Sequence, residues 1–115
     1  MLSPKNRLKI NKTDSKKWPN KKQIYTPLFK MVVRVNQSGD KDPKIGFIVP
    51  GKIKGAVKRN RVRRYFTEAI RSRIGKLPSN SEAILIASKE ASEENYETIS
   101  NWIDKAISKI HTSFN

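Results

Sequence analysis

The sequence predicts one small domain of the α+β class, with one mixed sheet and helices packed on one side of it. Apolar and polar residues alternate over 28–35 and 44–49, which is typical of half-buried strands. Apolar residues recur at helical spacing over 57–76 and 93–110. A continuous apolar run at 83–87 suits a strand buried on both faces. The predicted order is therefore β-β-α-β-α, a mixture of short and crossover connections.

A basic arm at residues 1–23 precedes the predicted domain, which spans residues 24–115. The arm is polar and shows no clear periodicity, and Pro19 would interrupt a long helix. At most one helical turn is expected near residues 13–18. Trp18 is expected to pack on the domain.

The first two predicted strands are expected to form an antiparallel pair. Alternate residues from Phe29 to Val35 share one face, and Lys30 and Arg34 fall on the other. A segment rich in turn-forming residues at 37–43 leads to the second strand. Because this connection is short, antiparallel pairing is expected.

The central helix is expected over residues 57–76, because Gly75 and Pro78 mark its end. Arg59 falls on the packing side of a helical wheel. Either the helix is not yet regular at this position, or Arg59 lies at an exposed first turn. The last helix is expected to begin near residue 93 with Ser92 as its N-cap, and its first turns are acidic, as the helix dipole favours.

Charge is concentrated in one part of the chain. The 115 residues include 25 lysines and arginines against 10 acidic residues, which gives a net charge of +15. Residues 51–76 hold 10 of the basic residues and 1 of the acidic ones, whereas residues 77–115 are net acidic. Such a field attracts a polyanion, and bound phosphates release counterions. A nucleic acid is therefore the expected partner.

Composition excludes several other classes of function. The chain has no cysteine and one histidine, which excludes a disulfide scaffold, cysteine zinc sites, thiol catalysis and a multi-histidine metal site. No apolar run approaches the ~18 residues of a membrane span, and the N-terminus lacks the apolar region of a signal peptide. We therefore expect a cytoplasmic protein with no catalytic constellation and no metal site of its own.

One face of the central helix is lined by arginines. On a helical wheel, Asn60, Arg64 and Arg71 point away from the apolar stripe, and Arg61 and Arg63 flank it. A single acidic residue is available for pairing along this helix, so most of the arginines lack an intrahelical partner. The planar guanidinium group binds phosphate bidentately and stacks on bases. This face is therefore predicted to bind nucleic acid.

Several segments resemble the protein subunits of bacterial ribonuclease P. The resemblance is carried by residues 44–49 (KIGFIV), 56–64 (AVKRNRVRR) and 68–71 (EAIR), of which Arg59-Asn60-Arg61 matches the RNR motif of that family. Asn6-Arg7-Leu8 is similar to the family's opening NRL, and Pro27-Leu28-Phe29 is similar to its first strand. The order of elements agrees over residues 6–110.

Two departures from the family pattern stand out. Pro50 and Gly51 occupy positions where the family has serine and lysine. The first helix of the family carries a phenylalanine pair that helps line the cleft for the 5′ leader of precursor tRNA. The corresponding stretch here, residues 14–19, lacks that pair, so Trp18 or Tyr25 is expected to substitute.

The resemblance implies a left-handed β-α-β crossover, whereas such connections are usually right-handed. It also implies that the protein binds a large catalytic RNA and the 5′ leader of precursor tRNA, and so supports maturation of the tRNA 5′ end. In that family the RNA and its bound Mg²⁺ perform the hydrolysis. The protein is therefore expected to be part of an endoribonuclease holoenzyme without supplying a catalytic residue or binding a metal itself.

The residues expected to bind the catalytic RNA lie in the basic loop and the central helix: Lys52, Lys54, Lys58, Arg59, Asn60, Arg61, Arg63, Arg64 and Arg71. The residues expected at the leader cleft lie on the sheet: Tyr25, Phe29, Lys30 and Phe47. An aromatic residue on a strand is more often part of a core, and this alternative stays open for Phe29 and Phe47.

Three other partners or classes compete with this interpretation. A small ribosomal protein, or another structural RNA-binding protein, would have a similar charge. A basic DNA-binding module would read base edges from a helix in the major groove, but the sequence lacks helix-turn-helix spacing. An acidic membrane surface would favour a basic amphipathic helix alone, and the predicted strands disfavour that class.

Overall fold

The computed structural model describes residues 6–8, 21–35, 42–77 and 80–114. Its strands and helices follow in the order β1 (Lys22–Tyr25), β2 (Phe29–Val35), β3 (Lys44–Ile48), α1 (Ala56–Arg71), β4 (Ser81–Ala87) and α2 (Tyr96–Phe114). Two short 3₁₀ helices lie at Ile74–Lys76 and Lys89–Glu93. Across the described ranges, no helix combines the length and the apolar character needed to cross a membrane. The helical turn near residues 13–18 and the packing of Trp18 lie outside the described residues.

The four strands form one mixed sheet in the order β1-β2-β4-β3, which confirms the predicted class. β2 pairs antiparallel with β1 and with β4, and β3 pairs parallel with β4. The prediction that the strands at 28–35 and 44–49 pair with each other is wrong, because β4 lies between them. The apolar run of β4 explains this order, since a strand that buries both faces is best placed inside the sheet.

β3 and β4 are parallel neighbours joined through α1, so they form the β-α-β unit that the resemblance implies. The left-handed sense of this crossover stays a prediction. In this unit, residues 49–55 connect the end of β3, the strand at one edge of the sheet, to the N-terminus of α1.

β1 is an element that the sequence patterns did not predict. It has four residues, of which Ile24 alone is buried, so its alternation is too short to give a periodic signal. The turn into β2 is closed by Thr26, whose Oγ1 accepts hydrogen bonds from the backbone N–H groups of Leu28 and Phe29 at 3.2 and 3.0 Å. All four β1 residues then pair with β2.

The main core lies between the sheet and the two helices, which pack on the same face, as predicted. Phe66 of α1 is 0% exposed and lies at its centre. Its ring centroid is 5.7 Å from that of Phe29 on β2 and 6.1 Å from that of Phe47 on β3. The apolar stripe of α2 completes this core with Ile99, Ile103, Ala106, Ile107 and Ile110.

A second, smaller apolar cluster lies on the other face of the sheet. Val32 and Ile84 are buried there, and Ile48 and Ile86 pack against them, together with Leu8 from the basic arm. Leu8 is held on this side by its backbone N–H, which donates to the carbonyl of Ile45 at 3.1 Å. Among the described residues, this face therefore carries Leu8 and no helix.

The helix boundaries differ from the predicted ones for identifiable reasons. α1 ends at Arg71 instead of residue 76, and a separate 3₁₀ helix follows. α2 begins at Tyr96, because Asn95 acts as its cap: the Asn95 Oδ1 accepts the backbone N–H of Thr98 at 2.9 Å. Ser92, the predicted cap, instead lies within the 3₁₀ helix, where its hydroxyl donates to the carbonyl of Lys89 at 2.7 Å.

A polar clamp fixes the end of α1 against α2. The Arg73 guanidinium donates to Asp104 Oδ1 and to the Ser100 hydroxyl, each at 2.5 Å, and to the carbonyl of Ala69 at 2.9 Å. The hydrogen bond with Arg73 lowers the pKa of Asp104, and the same bond raises the pKa of Arg73. The clamp holds the direction of α1, and therefore the direction of its basic face.

Candidate nucleic-acid interface

The basic face of α1 begins directly after Gly55, whose backbone conformation favours glycine. Gly55 has a φ of 93°, in the left-handed region that side chains rarely adopt, and it precedes the first helical residue. Its carbonyl accepts the backbone N–H of Arg59 at 3.1 Å, which closes the first helical turn. That turn holds no acidic residue. Cations at a helix N-terminus oppose the helix dipole, and a local cost of this kind is typical of a functional surface.

The side chains that the helical wheel placed outward, those of Asn60, Arg64 and Arg71, are exposed, and so is Arg63, which the wheel placed at the flank of the apolar stripe. The first-turn Lys58 is exposed as well. Arg63 Nη1 lies 3.4 Å from Asn60 Oδ1, a long hydrogen bond that leaves both groups able to meet a ligand. Arg71 is also exposed, but its guanidinium is paired with Glu68 at 2.6 Å.

Arg59 and Arg61 are half-buried and point back onto the protein. Arg59 Nη1 donates to the carbonyl of Ile53 at 3.1 Å, and Arg61 Nη2 donates to the carbonyl of Ser92 at 2.8 Å. The helix is already regular at Arg59, because α1 begins at Ala56. The structure therefore settles the ambiguity of the wheel: Arg59 lies in the first turn and is directed at the preceding loop.

A groove runs along the exposed side of α1. It has a volume of about 360 Å³ and is lined by Val57, Asn60, Arg61 and Arg64. Val57 is 81% exposed and contributes an apolar surface to the groove. This groove combines an apolar side chain, an amide and the exposed guanidinium group of Arg64, a set suited to a ribose and a phosphate, whereas the guanidinium group of Arg61 is directed at Ser92.

An aromatic pair lies next to the basic face. The rings of Tyr65 and Tyr96 meet edge to face with centroids 5.9 Å apart. The guanidinium carbon of Arg64 lies 5.7 Å from the centroid of the Tyr65 ring. This cation–π interaction orients Arg64 without neutralising its charge.

A second concavity, here called the lysine cleft, lies on the other side of the first turn of α1. It has a volume of about 230 Å³, and its lining residues are Lys52, Ile53, Lys54, Lys58, Lys89, Ser92 and Glu93. Lys58 Nζ lies 3.7 Å from Glu93 Oε1. Lys89 was absent from the sequence prediction, because no local pattern connects it with the basic helix.

A carboxylate, that of Glu90, lies at the rim of the lysine cleft. The pKa of Glu90 is lowered, first by a hydrogen bond from its own backbone N–H, then by the Ser88 hydroxyl, and further by the fields of Lys52 and Lys89. The Glu90 carboxylate therefore interacts electrostatically with lysines of two segments, the loop before α1 and the 3₁₀ helix at Lys89–Glu93. The fold has brought these two segments together.

The four residues predicted at a leader cleft are divided between the two faces of the sheet. Tyr25 is 64% exposed, and Lys30 Nζ lies 5.4 Å from the centroid of its ring. Phe29 is 1% exposed and packs in the main core, and the half-buried Phe47 packs against the same core. The burial of Phe29 favours the alternative that was open for it, a core residue, over a place in the leader cleft. Tyr25 and Lys30 share a surface from which both phenylalanines point away.

Comparison with known sequences identifies the family. A family model described as Ribonuclease P matches residues 2–111. The ribonuclease P protein component of Thermobifida fusca (strain YX) is 33% identical over 69 residues, which cover 60% of this chain and 47% of that protein. The chain thus matches about half the length of this curated relative.

Comparison with solved structures supports the same fold. The RNase P protein from Thermotoga maritima has a TM-score of 0.76 at 21% identity, covering 90% of this chain and 96% of that one. The RNase P protein of Staphylococcus aureus has a TM-score of 0.77 at 22% identity, covering 96% and 98%. With the family model spanning residues 2–111 and the RNR motif placed on α1, the chain belongs to the ribonuclease P protein family.

Proposed function

We propose that this protein is the RNA-binding subunit of ribonuclease P, which binds the catalytic RNA and supports removal of the 5′ leader from precursor tRNA. The observation that carries the proposal is the basic face of α1, where Asn60, Arg63 and Arg64 are exposed together. Family membership does not favour a ribosomal protein. A role in tRNA maturation is consistent with the predicted cytoplasmic location.

The proposed chemistry of the protein is binding rather than bond cleavage. The guanidinium groups of Arg63 and Arg64 would grip backbone phosphates, and the amide of Asn60 would donate to and accept from a ribose hydroxyl. Removing negative charge in this way lets the RNA fold more compactly and lets a second polyanion, the substrate, approach it. None of these contacts requires a proton to move on the protein.

Hydrolysis in the holoenzyme is assigned to the RNA and the Mg²⁺ that it holds. Within the described ranges of the protein, no three histidine, aspartate or glutamate side chains converge to hold a cation. In this proposal the Mg²⁺ ions are held by the RNA, and no Mg²⁺ site is assigned to the protein. No step is assigned to such an ion on the protein.

The 5′ leader is assigned to the sheet face that carries Tyr25 and Lys30. A leader is single-stranded, and proteins bind such strands by stacking bases on aromatic rings while cations follow the backbone. The exposed ring of Tyr25 and the ammonium group of Lys30 provide these two elements 5.4 Å apart. Phe29 takes no part in this proposal, because it is buried in the core.

Binding to a transcribed bacterial catalytic RNA of ribonuclease P is expected to depend steeply on salt. If the basic surface meets about 6–8 phosphates, log affinity should fall against log salt concentration with a slope of about −4 to −7. Filter binding over a series of KCl concentrations measures this slope. A slope near −1 would show that the charge of +15 serves solubility and would contradict the proposal.

A further inference from the structure

We propose that the lysine cleft binds a backbone phosphate of the catalytic RNA, and that Arg59 and Arg61 are positioning residues that hold its two walls. This inference rests on the proposed function, and it assigns different tasks to the members of the RNR motif. Asn60 and its exposed neighbours touch RNA directly. The two motif arginines act mainly through the cleft that they brace.

The lining of the lysine cleft is strongly cationic for its size. Four lysines line the cleft against one glutamate, Glu93, and Glu90 lies at its rim, so the net charge around a volume of about 230 Å³ is +2. Glu93 pairs with Lys58 at 3.7 Å, and Glu90 interacts electrostatically with Lys52 and Lys89, so two carboxylates face four ammonium groups. Concentrated like charge is unfavourable for the folded protein unless a counter-charge binds. A phosphate group is a suitable counter-charge, and RNA supplies it.

Each wall of the lysine cleft is fixed by one motif arginine. The first wall is the loop before α1, in which Ile53 donates its N–H to the carbonyl of Pro50 at 3.0 Å and accepts Arg59 Nη1 at 3.1 Å. The second wall is the 3₁₀ helix Lys89–Glu93, where the carbonyl of Ser92 accepts Arg61 Nη2 at 2.8 Å. The two arginines are two residues apart on α1, so the helix sets the width of the cleft.

Ser92 strengthens the second wall. Its side chain is buried, with 4% of its surface exposed, and its hydroxyl donates to the carbonyl of Lys89 at 2.7 Å. Two hydrogen bonds in series, from Arg61 to Ser92 and from Ser92 to Lys89, therefore connect Arg61 with the backbone of Lys89. Lys89 is the one lysine of the cleft that lies outside the loop and α1. Removal of the Arg61 guanidinium should release this wall and move the Lys89 ammonium group away from the other lysines of the cleft.

Lys89→Gln tests the site, because this exposed residue contributes charge to the cleft without belonging to the motif. With a transcribed bacterial catalytic RNA of ribonuclease P, affinity at low salt should fall roughly tenfold. The salt slope should become shallower by about 0.7–0.9, the change expected for one phosphate. Lys105→Gln is the matched control, because Lys105 is exposed on α2 beside Trp102 and should leave both values unchanged.

A double-mutant cycle tests the positioning role. Arg61→Gln should weaken RNA binding in the wild-type background and should weaken it much less once Lys89 is already Gln, because the wall then carries nothing to position. Circular dichroism and thermal melting confirm that each variant is folded. Losses of affinity that simply add would overturn the positioning role of Arg61.

The outcomes separate this inference from the proposed function. If Lys89→Gln binds like Lys105→Gln while the wild-type protein binds the RNA with a steep salt slope, the cleft is not a phosphate site and the proposed function stands. If the wild-type protein does not bind the RNA, the proposed function fails and the site fails with it. An altered preference for long-leader over leaderless precursor tRNA, with binding of the catalytic RNA unchanged, would assign Lys89 to the leader and contradict the inference.

Discussion

Replacing Phe66 by Ala is expected to lower the free energy of unfolding by about 3–5 kcal/mol, the range for removing a large aromatic side chain from a core. Phe66 is fully buried, and its ring meets those of Phe29 and Phe47. It therefore joins α1 to β2 and β3 at once. Urea denaturation followed by circular dichroism measures the change.

Tyr25→Ala is the control for the Phe66 variant, because it also removes an aromatic ring but from an exposed position on β1. Its effect on stability should stay within about 0.5 kcal/mol, as is usual for surface substitutions. A destabilisation below about 1 kcal/mol for Phe66→Ala would show that the ring can be replaced by rearrangement of its neighbours. That result would contradict its central place in the core.

The double substitution Arg63→Gln with Arg64→Gln is expected to weaken binding of the catalytic RNA by about 1.5–3 kcal/mol for each charge-assisted hydrogen bond that it removes. For two such hydrogen bonds, the affinity should fall by roughly two orders of magnitude or more. Both side chains are exposed and their backbone lies within a regular helix, so the melting temperature should be preserved. Filter binding and thermal melting give the two values.

A charge-matched control separates a specific interface from general attraction. Lys105→Gln with Lys109→Gln removes the same charge from exposed positions of α2. If net charge alone governs binding, the two double variants should bind the RNA with equally reduced affinity. A specific face on α1 requires the Arg63 and Arg64 variant to bind far more weakly. Equal reductions would contradict that face.

The periodicity of apolar residues was sufficient to predict the longer strands and helices. It was not sufficient to predict the order of the strands in the sheet. The alternating strands at 28–35 and 44–49 and the buried strand at 83–87 are all present, because each buries a repeated face. Their order in the sheet depends on which strand has the most apolar surface to bury. To predict it, the strands have to be compared with one another, and the pattern within each strand is not enough. That comparison accounts for the position of β4 between β2 and β3. The hairpin of β2 and β3, which their short connection favoured, therefore does not form.

The exposed residues of the basic face of α1 were predictable from the sequence. The hydrogen bonds that direct Arg59 and Arg61 back onto the protein were not. Helical spacing alone placed Asn60 and Arg64 outward, where the structure has them. The hydrogen bonds of Arg59 and Arg61 go to backbone carbonyls, which carry no sequence signal. Lys89 joins the basic surface only through the packing of its 3₁₀ helix beside α1.

The predicted leader cleft shows what strand geometry could have excluded. Successive residues of a strand point to opposite faces, so Phe29 and Lys30 could never line one surface. The structure places Phe29 with the helices and Lys30 beside Tyr25. The choice of Tyr25 as a substitute for the missing phenylalanine pair stays a prediction.

Processing of precursor tRNA by a transcribed bacterial catalytic RNA, at low salt with and without this protein, tests the proposed function most directly. Addition of the protein should accelerate release of the 5′ leader, more for a long-leader substrate than for a nearly leaderless one, and the protein alone should leave the substrate intact. An unchanged rate for the RNA in the presence of saturating protein, or cleavage by the protein freed of RNA, would contradict a subunit that binds RNA and leaves the chemistry to it.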